Sequence, residues 1–222
     1  MPLQNRVTPQ GDIVAVAARG TFMGNRGGCF HKPNQTLGLS RWKSRAWITC
    51  VLRFKDRRRA LMQPNRYTEL FFLDEVTALS AGHRPCFECR RGDAVAFFSA
   101  WDESGLAPLD RRAGDMDLVL QGERVRGVRD KRTFEARLDE LPTGAMVLVD
   151  DTPCAIARGH LLAWSHKGYT GRHPHDGNTI VQVLTPWTTV EILRSGYCPH
   201  IHDSAAGLVD ISGLRTATGE PT

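Results

Sequence analysis

Residues 81–90 read AGHRPCFECR, and this stretch decides how the N-terminal half of the chain folds. It holds two cysteines, Cys86 and Cys89, in a CxxC spacing between two predicted helices. Two thiolates at this spacing can both reach one tetrahedral Zn²⁺ at about 2.3 Å. A CxxC pair can also be redox-active, but no strand–CxxC–helix unit of the thioredoxin type surrounds this one. The stretch therefore predicts half of a zinc site.

The elements around the CxxC are predicted from capping residues and hydrophobic periodicity. Asp74 has the chemistry of a helix N-cap, and Gly82 is suited to end that helix. After Cys89, Asp93 can cap a second helix, whose apolar residues follow the i, i+3, i+4, i+7 rule. Upstream, residues 12–22 predict a strand, and residues 46–62 predict a hairpin with basic residues at its tip.

The two CxxC cysteines need further ligands to close a zinc site. Cys29 and His31 are the best candidates, because they follow a glycine-rich loop, residues 24–28, that can bend toward a metal. Cys50 and His83 are the alternatives for the fourth ligand. A site with four protein ligands is usually structural, and its fold depends on the metal. The predicted zinc ligands are Cys29, His31, Cys86 and Cys89.

Residues 68–89, TELFFLDEVTALSAGHRPCFEC, carry a resemblance to a known family. The run resembles the second half of the Ada-type zinc-binding domain, which occurs in alkylation-repair proteins and beside some nuclease domains. The resemblance is firm over this run and looser over residues 20–91. It implies a zinc-stabilised fold and a DNA-repair context, and it points to Cys29 if one thiolate accepts a methyl group. The family has an upstream pair of cysteines where this chain has Cys29 and His31.

Charge favours contact with nucleic acid. The 222 residues include 29 Lys and Arg against 24 Asp and Glu, a net charge of +5, which permits a polyanionic partner without requiring one. The arginines are clustered, as they are in proteins that bind a phosphate backbone. The predicted nucleic-acid contacts are Arg53, Lys55, Arg57, Arg58, Arg59, Arg84, Arg90 and Arg91.

Two absences set the expected compartment. No apolar stretch approaches the roughly 18 residues of a membrane span, so we expect no membrane partner. The N-terminus lacks a basic-then-apolar signal segment, so we expect a cytoplasmic protein with reduced thiols.

The C-terminal half carries a second group of possible metal ligands. Its histidines lie in two HxH motifs, at His173, His175, His200 and His202. They could hold a catalytic metal with an open position. The simpler interpretation is that they lie in polar loops, and it is favoured because no helix orients the two motifs. Residues 160–166, with two further histidines, are likewise interpreted as a loop.

Together these patterns predict an α+β fold, with a small zinc-anchored N-terminal module followed by a β-rich C-terminal part. Residues 102–114 are rich in Gly, Pro and charge and mark a boundary. The predicted domains are residues 1–104, an Ada-like module with an inserted hairpin, and residues 115–222, a helix followed by strands. We expect a zinc-binding cytoplasmic protein that binds or processes nucleic acid. The alternatives are a metal-dependent enzyme that uses the C-terminal histidines and a zinc-stabilised adaptor for another protein.

Overall fold

The computed structural model describes residues 1–55, 60–127 and 130–216. Within these residues the protein is a mixed α/β structure with four helices and several sheets, and strands predominate. The mixture of helices and strands agrees with the predicted class. None of the described helices is both long enough and apolar enough to cross a membrane.

The N-terminal half forms a six-stranded sheet in the order β2-β1-β5-β3-β4-β6. Its strands are β1 (Gln4–Val7), β2 (Ile13–Ala15), β3 (Phe22–Asn25), β4 (Ile48–Val51), β5 (Leu70–Phe72) and β6 (Arg84–Pro85). The β1–β5 and β4–β6 pairs are parallel, and the other pairs are antiparallel. The predicted strand over 12–22 is therefore two strands. Only the first strand of the predicted hairpin over 46–62 is present among the described residues: it is β4, which pairs with β3 and β6, and residues 60–62 are not in a strand. Residues 56–59, at the predicted tip, lie outside the described residues.

Two helices flank the CxxC as predicted. Helix α1 (Glu75–Ser80) is capped by Asp74, whose carboxylate accepts a hydrogen bond from the Thr77 backbone N–H at 2.8 Å. The helix is followed by Gly82 with φ +86°, a conformation that favours glycine. Helix α2 (Arg91–Glu103) begins earlier than the predicted cap, so Asp93 lies in its first turn and pairs with Arg90 instead.

The C-terminal half forms a second, fully antiparallel six-stranded sheet in the order β13-β12-β11-β10-β14-β9. Helix α3 (Ala113–Arg124) and the short ladder of β7 (Val125–Arg126) with β8 (Asp130–Lys131) precede it. Its strands are β9 (Phe134–Arg137), β10 (Met146–Val149), β11 (Thr152–Ala157), β12 (His160–Ser165), β13 (Gly168–His173) and β14 (Ile180–Val183). Helix α4 (Trp187–Arg194) and the parallel pair β15 (His200–Ile201) and β16 (Arg215–Thr216) complete the described chain. The interpretation of 160–166 as a loop is wrong, because residues 160–165 form β12 between β11 and β13.

The largest hydrophobic cluster joins residues from both sides of the predicted boundary at 102–114. Phe97 and Trp101 of α2 and Met116 of α3 are buried in it with Val147 of β10 and Val183 of β14. The helices that follow the CxxC therefore cover the second sheet, and this packing fixes the position of the N-terminus of α2.

Candidate metal centre

Three thiols converge at the edge of the first sheet. The sulfur atoms of Cys50, Cys86 and Cys89 lie within 4.8 Å of one another, close enough to hold a metal ion. Zn–S bonds of 2.3 Å in a tetrahedron separate the sulfurs by about 3.8 Å. A bound metal would therefore need only a small contraction of this cluster.

Strand pairing brings Cys50 next to the CxxC. Cys50 lies on β4, and β4 pairs in parallel with β6, which ends one residue before Cys86. The Cys86 backbone N–H donates to the Thr49 carbonyl at 3.0 Å and so extends this pairing. The chain then turns, the Arg90 N–H donates to the Cys86 carbonyl at 3.0 Å, and α2 begins. Cys89 lies on this turn, so backbone hydrogen bonds determine the positions of both CxxC cysteines.

Hydrogen bonds favour the thiolate form of Cys86. The pKa of Cys86 lies well below its ordinary value, first because of the Cys50 thiol and then because of Cys89, with backbone N–H groups adding to the effect. One of these is the Glu88 N–H, which lies 3.4 Å from the sulfur. The pKa of Cys50 is raised in turn, chiefly by its hydrogen bond with Cys86. The lowered pKa of Cys86 favours the thiolate, which is the form that binds a metal, and a cysteine that is still protonated would release its proton when a metal binds.

A cavity of about 440 Å³ borders all three cysteines. Apolar side chains from β3, β4 and β5 form much of its wall, including Met23, Ile48 and Phe71. Glu69, which is buried, also lines it and accepts a hydrogen bond from the Met62 N–H at 2.7 Å. The volume falls within the range of small-molecule sites, roughly 300–1,000 Å³.

Cys29 and His31, the predicted partners of the CxxC, are not part of the three-thiol cluster. Nδ1 of His31 lies 2.8 Å from the Thr68 hydroxyl, and Nε2 lies 3.2 Å from the Gln63 carbonyl, so both ring nitrogens have polar partners. The Cys29 sulfur lies 3.7 Å from the His31 ring. The structure therefore groups Cys86 and Cys89 with Cys50, one of the two predicted alternatives.

His83, the other alternative, also lies outside the cluster. Its buried ring packs against Trp47 and Phe72, and its Nε2 accepts a hydrogen bond from Arg26 at 3.3 Å. The ring therefore belongs to the interior of the first sheet. Cys50 is half-buried on β4, which lies between β3 and β6, and no local motif in the sequence links it to the CxxC.

The C-terminal histidines do not form a second cluster within the described chain. His173 lies at the end of β13, where Nε2 is 3.8 Å from Asp150, and Nδ1 of His202 is 2.9 Å from Ser204. The His200 ring packs near Phe22. Among the described residues, the three cysteines form the one group of three or more His, Cys, Asp or Glu ligand atoms within this distance.

The predicted basic contacts divide into three sets. Arg53, Lys55 and Arg91 are exposed, and residues 57–59 lie outside the described chain. Arg84 is buried and forms a two-pronged ion pair with Asp117, with both N–O distances 2.8 Å. Arg90 is also buried, so the prediction that these two arginines hold phosphates at the surface needs correction.

The partners of Arg90 explain why it is unavailable to a phosphate. Its guanidinium lies 2.8 Å from Glu75 and 2.7 Å from Asp93, and its side chain is 1% exposed. These charge-assisted hydrogen bonds replace the water that burial removes. Arg90 therefore holds the start of α2 against the start of α1.

No family model matches the chain, and neither a curated protein nor a solved structure is significantly similar to it. The three-cysteine cluster does not by itself identify an Ada-type domain. The geometry of the site therefore carries the functional argument.

Proposed function

We propose that the protein binds one Zn²⁺ through Cys50, Cys86 and Cys89. The convergence of three sulfurs within 4.8 Å carries this proposal. Thiolates are soft ligands that select metals such as Zn²⁺, and Zn²⁺ accepts tetrahedral sulfur coordination without a redox change. The metal would tie β4 to the turn between β6 and α2, so its binding energy would contribute to folding.

Three protein ligands leave one position for water or another ligand. Zinc with three protein ligands and one exchangeable position is the usual catalytic arrangement, whereas a closed four-ligand set is structural. The cavity borders all three cysteines and includes the buried carboxylate of Glu69. This supports a zinc centre open to a small molecule more than the closed structural zinc expected from the sequence.

Metal content per chain tests the proposal. We expect one zinc in the purified wild-type protein and a loss of at least tenfold in Cys86→Ser. Cys198→Ser is the matched control, because Cys198 is exposed and lies outside the cluster. Equal zinc loss in both variants, or a metal-free wild type, would contradict the proposal.

A spectroscopic measurement covers the case in which Cys86→Ser does not fold. Co²⁺ replaces Zn²⁺ in tetrahedral sites, and its thiolate ligands give charge-transfer absorption in the near ultraviolet. We expect this absorption in the cobalt-loaded wild type at the intensity of three thiolates. Absorption without a thiolate component would exclude the assigned ligands.

Binding to nucleic acid is a second proposal, and the exposed basic residues support it. Arg53 lines the cavity beside the cysteines, Lys55 follows it at the surface, and Arg91 is exposed at the start of α2. We expect binding that weakens steeply with salt, and a smaller salt slope in Arg53→Gln/Lys55→Gln, by about one for each lost phosphate contact. Lys167→Gln removes an exposed charge elsewhere and should leave the slope unchanged. An unchanged slope in the double variant would exclude these two contacts.

A further inference from the structure

A second cavity, of about 280 Å³, is surrounded by cations. Arg26, Arg41, Arg124 and Lys131 line it, and Asp12 is the only carboxylate among the described residues of its wall. None of the residues that line it also lines the cavity beside the cysteines. The two sites are therefore formed by different side chains.

The two most deeply buried cations share one aromatic ring. Arg26 is 2% exposed and Arg124 0%, and their guanidinium carbons lie 3.9 and 4.0 Å from the centroid of the Trp47 ring. Cation–π contact stabilises each guanidinium separately. It leaves the repulsion between two like charges in place, so the ring alone does not explain why both are buried here.

Within the described part of the chain, the hydrogen bonds of Arg26, Lys131 and Arg124 go to neutral groups. Arg26 donates to the Gly11 carbonyl at 2.9 Å, and Lys131 donates to the Ser80 carbonyl. Arg124 donates to the Gly82 carbonyl at 2.8 Å and to the Gln121 side-chain oxygen at 2.7 Å, while its Nε has no partner among the described residues. Carbonyl oxygens satisfy N–H donors without neutralising their charge.

One further carboxylate that attracts Arg124 is already paired with another arginine. Asp117 attracts Arg124, but both of its oxygens are held by Arg84 in the ion pair described above. Charged side chains are seldom fully buried unless they are paired, because desolvation costs several kcal/mol per ion. The cavity therefore combines excess positive charge, an unpartnered buried donor and space for a ligand.

We propose that this cavity binds a phosphate group, either as inorganic phosphate or as a small phosphomonoester. Guanidinium forks match phosphate oxygens, and a phosphate would neutralise charge that Asp12 alone does not. The volume, just below the range of drug-sized ligands, suits a small anion. Arg26 lies directly after β3, so the predicted loop 24–28 is a strand end followed by a bend, and of these five residues Arg26 alone lines the cavity among the described residues.

Calorimetric titration of the purified full chain tests this assignment. The probes are inorganic phosphate and adenosine 5′-monophosphate, each compared with chloride at the same ionic strength. We expect saturable binding of at least one phosphate probe, weaker by about tenfold or more in Lys131→Met, since this variant removes a charged hydrogen-bond donor from the cavity wall. Tighter binding of one probe identifies the source of the phosphate group.

Two further variants keep the test decisive. Lys167→Met removes an exposed lysine outside the cavity and should bind phosphate as the wild type does. If Lys131→Met does not fold, Arg41→Gln at the half-buried wall position should show the weakening instead. Absence of binding by both probes, or equal affinity in the cavity variants and the control, would overturn the proposal.

Discussion

Lys131 is half-buried, and its desolvated amine shows how one charge can set a measurable property of the protein. The pKa of its amine is lowered to about 7, first by desolvation and then by repulsion from the neighbouring Arg26 and Arg124. A lysine in the unfolded chain keeps a pKa near 10.4. Between about pH 7 and pH 10 the unfolded chain therefore binds more protons at this position, so folding stability should rise with pH over that window.

We expect the contribution of Lys131 to appear as a difference between two pH profiles. The free energy of unfolding, from urea titrations at pH 7, 8 and 9 without phosphate, should rise less with pH in Lys131→Met than in the wild type. Lys167→Met, which removes an exposed lysine, should keep the wild-type slope. Parallel profiles for all three proteins would show that Lys131 titrates normally.

For single residues, features that depend on neighbours in the sequence were predictable, and partners that lie far away along the chain were not. Cys86, Cys89 and the cap Asp74 follow from spacing and neighbouring residues. The place of Cys50 depends on the parallel pairing of β4 with β6, which joins segments more than thirty residues apart. The burial of Arg84 depends likewise on Asp117 in a distant helix, and the sequence shows the charge but not its partner.

Among the elements, β6 and α3 are joined by the Arg84–Asp117 ion pair. The two side chains are 6% and 7% exposed, and two parallel hydrogen bonds connect them. Breaking a buried pair leaves one charge without compensation, which costs more than replacing both partners with apolar groups. This pair therefore fixes β6, and with it Cys86, against the helix.

Asp117→Ala should lower the free energy of unfolding by about 3–5 kcal/mol, because it leaves the buried Arg84 guanidinium unpaired. Arg84→Met/Asp117→Leu should recover most of that loss. Chemical denaturation measures both, with Asp110→Ala, at an exposed loop position, expected within about 0.5 kcal/mol of the wild type. A double variant as unstable as Asp117→Ala would show that the pair contributes through more than charge compensation.

The predictability of each element depended on how much of its pattern is local. Helix α4 has local boundary signals, because it begins directly after Thr185-Pro186 and ends before Gly196, whose φ is +98°. Strand β12 has polar residues at both ends, so its sequence alone does not indicate a strand. It is recognisable from its pairing with β11 and β13, which flank its buried central residues. The predicted cap of α2 failed because Asp93 pairs with Arg90 and Arg215 instead of closing the helix end.

At the scale of the whole molecule, two buried carboxylates join the halves of the chain. Asp74 accepts hydrogen bonds from the Tyr169 hydroxyl at 2.8 Å and the His202 N–H at 3.0 Å. Glu75 accepts from the Tyr197 hydroxyl at 2.6 Å and the His200 N–H at 2.9 Å. The start of α1 therefore holds the C-terminal segment in place. His200 and His202 contribute to this contact through their backbone N–H groups.

This architecture places the three-thiol cluster where a metal can stabilise much of the fold. The cluster joins β4 to the N-terminus of α2, and α2 covers the second sheet through Phe97 and Trp101. A metal at this point would strengthen the connection between the two sheets as well as the edge of the first. Whether a metal is bound, and whether Cys50, Cys86 and Cys89 are its ligands, is therefore the first property to measure.

The most direct test is zinc content per chain in the wild type, Cys50→Ser and Cys29→Ser, measured on the purified full chain. Cys50 belongs to the cluster, whereas Cys29 does not. We expect one zinc per chain in the wild type and in Cys29→Ser, and a loss of at least tenfold in Cys50→Ser. Zinc retained in Cys50→Ser but lost from Cys29→Ser would contradict the site assigned here and favour the ligand set expected from the sequence.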